Sequence, residues 1–189
     1  MTGRELFKKY NKIIYTIVKI AKIFPYKFRK KRFDAARMLN GKRGQLCRYV
    51  WLKTLAKSVG DNVVIFPCVF FEHLDKLEIG NNVSIHQMCY IDAAGGVVIG
   101  DNVSIAHRST VLSSNHSYSD KETPIKYQDM ILKRTVIKND VWIGCGVTIL
   151  AGNCIGNGVV IGANSVVTHD IGDGDVVVGN PSKAIKNRL

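Results

Sequence analysis

The chain has 189 residues, 46% of them hydrophobic, with 27 lysines and arginines against 15 aspartates and glutamates. That hydrophobic share supports a packed core and excludes a disordered chain; 17 glycines and four prolines exclude collagen-like and proline-rich classes. Five scattered cysteines (Cys47, Cys68, Cys89, Cys145, Cys154) form no C-x-x-C pair, which argues against a disulfide framework or zinc ribbon and fits a reducing compartment.

The charge divides the chain near Ser58–Val59. Residues 1–58 carry 17 basic side chains and two acidic ones, Glu5 and Asp34, whereas residues 59–189 carry 10 basic and 13 acidic. A basic N-terminal arm (1–58) therefore precedes a weakly acidic domain (59–189).

In the arm, Leu6, Tyr10, Ile13, Ile17, Ile20 and Phe24 recur at spacings of three and four, the stripe of an amphipathic helix from Arg4 to Phe24. Lys8, Lys9, Lys12, Lys19 and Lys22 flank the stripe and Pro25 ends it. No uncharged run reaches the ~20 residues that span a bilayer. Lysines interrupt the apolar stretch and no small-residue cleavage site comes after it, so the arm is expected to be retained rather than removed as a signal peptide. A second basic cluster, Lys27 to Arg32, precedes a helix-forming segment broken at Gly41–Gly44; Gln45 to Lys57 then offers Leu46, Tyr49, Val50, Trp51 and Leu55 as a buried face. Two readings of the arm stand side by side. Its helices pack on the following domain or a neighbouring subunit, or residues 1–32 make peripheral contact with an anionic membrane, where each basic side chain contributes ~1 kcal/mol. No nucleic-acid-reading motif is present, and no nucleic-acid partner is expected.

From Val59 the chain has a period of six. Val59-Gly-Asp-Asn-Val-Val runs into Ile65, Ile79-Gly-Asn-Asn-Val-Ser into Ile85, and Ile99-Gly-Asp-Asn-Val-Ser into Ile105. Ile143, Ile149, Ile155 and Ile161 open four more units. Each unit begins with an aliphatic residue, usually followed by Gly, and has a small or β-branched fifth position. The expected fold is mainly β: a parallel β-helix in which first positions point inward and stack, with Gly and Asn at tight corners. One coil cannot bury its own face, so stability comes from stacking. Val59, Ile79 and Ile99 lie 20 residues apart, while Ile137 and Ile155 lie 18 apart; three hexapeptides make 18, so the early coils carry two extra residues each. Residues 113–134 contain no hexapeptide, and long irregular insertions of this kind usually serve function. A C-terminal cap is expected to close the domain.

The chain resembles the hexapeptide-repeat acyltransferases, in particular their maltose/galactoside and capsular-polysaccharide O-acetyltransferase branch. The resemblance is carried by Asn115-His116, Asn139-Asp-Val-Trp-Ile-Gly144, Gly162 to Asp170, and Gly179-Asn-Pro-Ser-Lys183. It implies a left-handed β-helix, a homotrimer, and acetyl-CoA as donor in a cleft between subunits, with no metal required. It also implies that His116 is the general base, a role suited to an imidazole titrating near working pH. By the same resemblance Trp142 lines the acetyl-carrying arm of CoA, the backbone at Cys145 and Ala163 contacts the pantetheine, and Thr168, Lys183 and Lys186 receive the nucleotide and 3′-phosphate. Arg188 is a further basic candidate there, because this chain has His169 where the family often has Lys.

On the acceptor side the family's Asn and Asp are replaced by His86 and Ala94. His86, Asp92 and Asn115 are therefore the candidate acceptor contacts, and a simple maltose or galactoside substrate is disfavoured. A sugar or glycan acceptor of capsule, exopolysaccharide or lipopolysaccharide synthesis fits best, with a cytoplasmic location, peripheral at the inner membrane face on the second reading of the arm. Alternatives stay open: N-acetylation of an amino-sugar nucleotide, acetylation of a xenobiotic hydroxyl, or a non-enzymatic trimeric scaffold. A γ-class carbonic anhydrase built on His86, His107 and His116 is disfavoured, because His86 and His107 hold different positions in their hexapeptides.

Overall fold

A computed structural model describes residues 3–189. Three helices, α1 (Gly3–Lys22), α2 (Tyr26–Ala35) and α3 (Gly41–Leu55), precede a solenoid of short strands. The first coil holds β1 (Ser58–Val59), β2 (Val64–Ile65) and β3 (Phe70–Glu72); the second holds β4 (Leu77–Ile79), β5 (Ser84–Ile85) and β6 (Tyr90–Asp92). The third holds β7 (Val97–Ile99), β8 (Ser104–Ile105) and β9 (Thr110–Val111), after which β10 (Ser114–His116) and β11 (Met130–Leu132) form an antiparallel hairpin. Two further coils come next: β12 (Thr135–Ile137), β13 (Trp142–Ile143) and β14 (Thr148–Ile149), then β15 (Cys154–Ile155), β16 (Val160–Ile161) and β17 (Val166–Val167). The strands β18 (Asp175–Val178) and β19 (Lys183–Asn187) close the C-terminal end.

Like strands stack in parallel register into three faces. Face A runs Val59, Ile79, Ile99, Ile137, Ile155, and face B runs Ile65, Ile85, Ile105, Ile143, Ile161. Face C runs Phe71, Ile91, Val111, Ile149, Val167. These first-position residues all point inward and are buried, each contributing ~1.5–3 kcal/mol of apolar burial. Between faces A and B the corners are tied by an amide ladder, in which the Asn81 side chain accepts from the Asp61 N–H, Asp101 from Asn81, and Asn139 from Asp101.

Every departure from the hexapeptide falls at the corner between faces C and A. Inward residues Phe71 and Ile79, and Ile91 and Ile99, are eight apart instead of six; Val111 and Ile137 are 26 apart, the difference being the hairpin.

Helix α3 closes the open first coil. Tyr49, Leu52 and Leu55 join the solenoid core, and the buried Arg48 guanidinium donates to the carbonyls of Ile65 (2.8 Å), Ala36 (2.8 Å) and Leu39 (2.6 Å). Leu46, expected on the buried face, is exposed instead because it looks toward α1. Helix α1 is held by Ile14, Val18 and Ala21, which are buried, and by the Tyr15 hydroxyl donating to Asp61. That bond, together with burial, pushes Tyr15 up to about 12. The stripe Tyr10, Ile13, Ile17, Ile20, Phe24 is the face that remains exposed, with Ile13 at 59%; the Leu6 side chain lies outside the described part. The apolar arc of α1 is wider than one packing face, and the interior takes the flank through Ile14 and Val18. Among the described residues no helix is long and apolar enough to cross a membrane.

Candidate active site

The enlarged corner between faces C and A encloses a cavity of about 410 Å³. Its walls come from Glu72, His73 and Lys76 of the first coil and Tyr90, Asp92 and Ala94 of the second. The hairpin completes it with Ser114, Met130 and Leu132. In the hairpin Ser114 pairs with Leu132, Asn115 with Ile131 and His116 with Met130. Directly paired residues share a face and successive residues alternate, so His116 stands on the same hairpin face as Ser114, Leu132 and Met130, which line the cavity, although His116 itself does not. Asn115 points to the opposite face.

Asp92 organises this corner. Its side chain is only 10% exposed; one oxygen accepts from the Ala94 N–H at 3.0 Å and meets His73 Nδ1 at 3.1 Å, and the other accepts from the Ser114 hydroxyl. Burial acts to raise its pKa, but the bonds from Ser114, Ala94 and His73 outweigh it and hold the carboxyl below the usual carboxylate range. The Ser113 hydroxyl donates to the Asp92 carbonyl at 2.7 Å and accepts from the Gly95 N–H at 2.9 Å. The root of the hairpin is thus pinned to the second coil immediately before Asn115 and His116. His73 has φ 55°, and neither it nor Ser114, Tyr90 or Lys76 is distinguished by the repeat. The two surplus residues per early coil were the signal that this corner is enlarged.

The remaining candidates except Thr168 gather on face B and at the corner between faces B and C. Trp142 is 56% exposed on the outer side of β13, in register with Ser104 on one side and Val160 on the other. Val160 pairs with Val176, and Val176 with Lys186. A register shift between Val176 and Val177 inserts one residue in β19, so that Lys183 opposite Val178 and Lys186 opposite Val176 share the outer face with Trp142. Three strand spacings separate Trp142 from Lys186, roughly 14 Å. Arg188 does not join these lysines: it donates to the Gly158 carbonyl at 3.1 Å and lies 3.4 Å from Asp140.

At the B–C corner Gly144 packs so closely on the next coil that an added Cβ would lie 2.7 Å from the Ala163 nitrogen. The following residues, Cys145 and Ala163, stack directly; among the described residues neither backbone N–H has a protein acceptor. Two such amides in register suit carbonyl groups of an extended ligand such as the pantetheine arm. His86 lies lower on the same corner with its ring stacked on Phe66, centroids 4.4 Å apart. Burial and the neighbouring His107 lower its pKa, so it is neutral near pH 7. Thr168 ends face C on the C–A side, away from Ser182 at the start of that strand, whose N–H donates to the Val166 carbonyl.

The candidate residues therefore fall into two separated groups. His116, Asn115 and Asp92 occupy one edge of face C; Cys145, Ala163 and His86 occupy the other. Six extended residues, ~20 Å, separate His86 from Asp92. Among the described residues, no three His, Cys, Asp or Glu side chains converge as a metal-binding group.

A family model described as bacterial transferase hexapeptide (six repeats) matches residues 134–169. A solved galactoside acetyltransferase in complex with coenzyme A is 31% identical, with 86% of this chain and 80% of that chain aligned at a TM-score of 0.77. The maltose O-acetyltransferase from Clostridium difficile 630 is 29% identical, with 87% and 86% aligned and the same TM-score. A putative lipopolysaccharide biosynthesis O-acetyl transferase, WbbJ, of Escherichia coli K12 is 38% identical over 89 residues, 43% of this chain and 45% of that protein. This chain spans only about a quarter to under half the length of the curated relatives it matches.

Proposed function

The chain belongs to the hexapeptide-repeat, left-handed β-helix acyltransferases, and from that premise we propose that it moves an acetyl group from acetyl-CoA to a hydroxyl of a sugar in a bacterial surface glycan. The observation that carries this reading is the anchored hairpin, in which Ser114 is tied to Asp92 and His116 shares its face with Ser114, Met130 and Leu132, three residues that line the cavity. The likeness to O-acetyltransferases, and to a galactoside acetyltransferase bound to coenzyme A, supports the donor and the reaction type.

When bound, acetyl-CoA supplies an activated thioester carbonyl. The outer face of β13 to β19 gives it an apolar wall at Trp142 and two cations at Lys183 and Lys186 for the nucleotide phosphates. The Cys145 and Ala163 amides donate to carbonyls along its arm. His116 accepts the proton of the acceptor hydroxyl as that oxygen attacks the thioester carbon, then returns a proton to the departing thiolate. Polar groups at Glu72, His73 and Tyr90 line the space for the acceptor's other hydroxyls. The family resemblance implies a homotrimer, and in our reading the hairpin of one subunit meets the B–C corner of the next, which would bring together residues that lie at opposite edges of face C within one chain. In this reading the enzyme works in the cytoplasm against an anionic membrane, a reading supported by the 17 basic and two acidic side chains of residues 1–58.

The test is His116→Ala, assayed by CoA release with acetyl-CoA and a panel of free sugars, nucleotide sugars and glycolipids. Turnover falls ~10²–10⁴-fold, the usual contribution of a positioned general base, while acetyl-CoA affinity is kept. Undiminished turnover in the variant removes His116 from the mechanism.

A further inference from the structure

Between α1 and α3 lies a cleft of about 390 Å³ that the transfer reaction does not use. That is within the range of small-ligand sites, ~300–1,000 Å³. Ile13, Ile14 and Ile17 form one wall, Leu46 and Tyr49 the other. Ile13 and Ile17 belong to the exposed stripe of α1, so the cleft opens directly onto an apolar surface continued by Ile20 and Phe24. Lys42 and Arg43 stand exposed at its mouth, and among the described residues neither has an ion-pair partner. Asp34 is engaged by Lys30 and Arg37, and Asp61 by Tyr15 and Lys53.

We propose that this cleft holds one hydrocarbon chain of an anionic membrane phospholipid, with its phosphate between Lys42 and Arg43. The inference rests on the reading that the enzyme works at a membrane, and it names the site that seats it there. Charge selects the occupant. An apolar slot with two unpaired cations at its mouth matches an amphiphile with an anionic head. The arm of a second copy is a poor match, since it carries the same 17 basic and two acidic residues and would repel the first; the weakly acidic solenoid of a second copy is the rival occupant that the thiol-blocking experiment below tests. The exposed lysines flanking the α1 stripe, Lys9 and Lys12 among them, would then face the same headgroups.

The full-length protein is titrated calorimetrically with dihexanoyl phosphatidylglycerol below its micelle concentration, and sedimented with phosphatidylcholine vesicles with and without phosphatidylglycerol. Saturable binding of one short-chain lipid per chain is expected, with vesicle binding that needs phosphatidylglycerol and weakens as salt rises. Lys42→Gln with Arg43→Gln lowers lipid affinity about 30-fold, at the usual contribution of two cations beside anionic headgroups. Ile17→Trp fills the slot while keeping the surface apolar, and abolishes short-chain lipid binding without changing the melting temperature. Vesicle binding that ignores these variants overturns the cleft site and leaves the membrane reading standing. No binding of any anionic lipid overturns both, and so does an Ile17→Cys thiol blocked from maleimide by subunit contact in lipid-free protein. Acetyl transfer to a soluble sugar, measured in parallel, is unchanged by the cleft variants and reports separately on the reaction itself.

Discussion

Ser114→Ala removes a hydroxyl that donates to the carboxylate of Asp92, whose side chain is largely buried. A hydrogen bond to a charged group contributes ~1.5–3 kcal/mol. Asp92 keeps its bonds from the Ala94 N–H and His73, which places the loss at the lower end, about 1.5 kcal/mol. For a domain of this size that corresponds to a fall in melting temperature of roughly 3–6 °C. The larger effect falls on chemistry. His116 is two residues further along the same strand face, and a misplacement of ~1 Å can cost ~10²-fold in rate. Turnover should drop ten- to a hundredfold on that scale, with the KM for acetyl-CoA unchanged, because the proposed donor contacts lie on face B and at the B–C corner, away from Ser114. The assay pairs thermal melting with CoA-release kinetics in Ser114→Ala, Asp92→Asn and the double variant. Coupling of ~0.5–3 kcal/mol between the two sites is expected. Strict additivity together with wild-type turnover in Ser114→Ala would refute the idea that this bond positions the hairpin.

Lys183→Ala with Lys186→Ala should weaken CoA more than dephospho-CoA, with a difference that fades with salt, since exposed contacts of this kind contribute ~0–1 kcal/mol each; equal losses in a binding titration would move the 3′-phosphate elsewhere. Gly144→Ala forces a Cβ to within 2.7 Å of the Ala163 nitrogen and 2.8 Å of the Ile161 carbonyl oxygen. Overpacking of that order costs ~1–3 kcal/mol, to be read from denaturant unfolding, together with a loss of acetyl-CoA affinity as the stacked amides are pushed apart. Asp92 has a folded pKa below its unfolded value of ~3.9. Its contribution to stability is therefore complete above the unfolded pKa and is lost as pH falls through the folded one. Melting temperatures of Asp92→Asn should consequently approach those of the wild type below about pH 4, and a constant gap across the acid range would contradict the linkage.

The hexapeptide repeat makes the solenoid legible from residue order alone. An inward aliphatic residue every six positions is a local pattern, and stacking leaves it one way to be buried, so the core from Ile65 to Ile161 could be read from spacing. The surplus residues of the early coils and the break at 113–134 were equally visible, because they are departures from a count. What spacing could not reveal is which departures meet. His73 reaches Asp92 because it adopts a left-handed conformation in a corner one coil below. Trp142 shares a face with Lys186 only through a strand that turns back antiparallel and slips by one residue. The arm shows the same limit from the other side. Its apolar arc is wide enough for two faces, and the residues singled out by their spacing proved to be the exposed ones. Local periodicity determines that a face is apolar. Which flank is buried depends on the surface that α3 presents to it, a choice made between segments of chain separated by some 30 residues and so decided only by the tertiary structure.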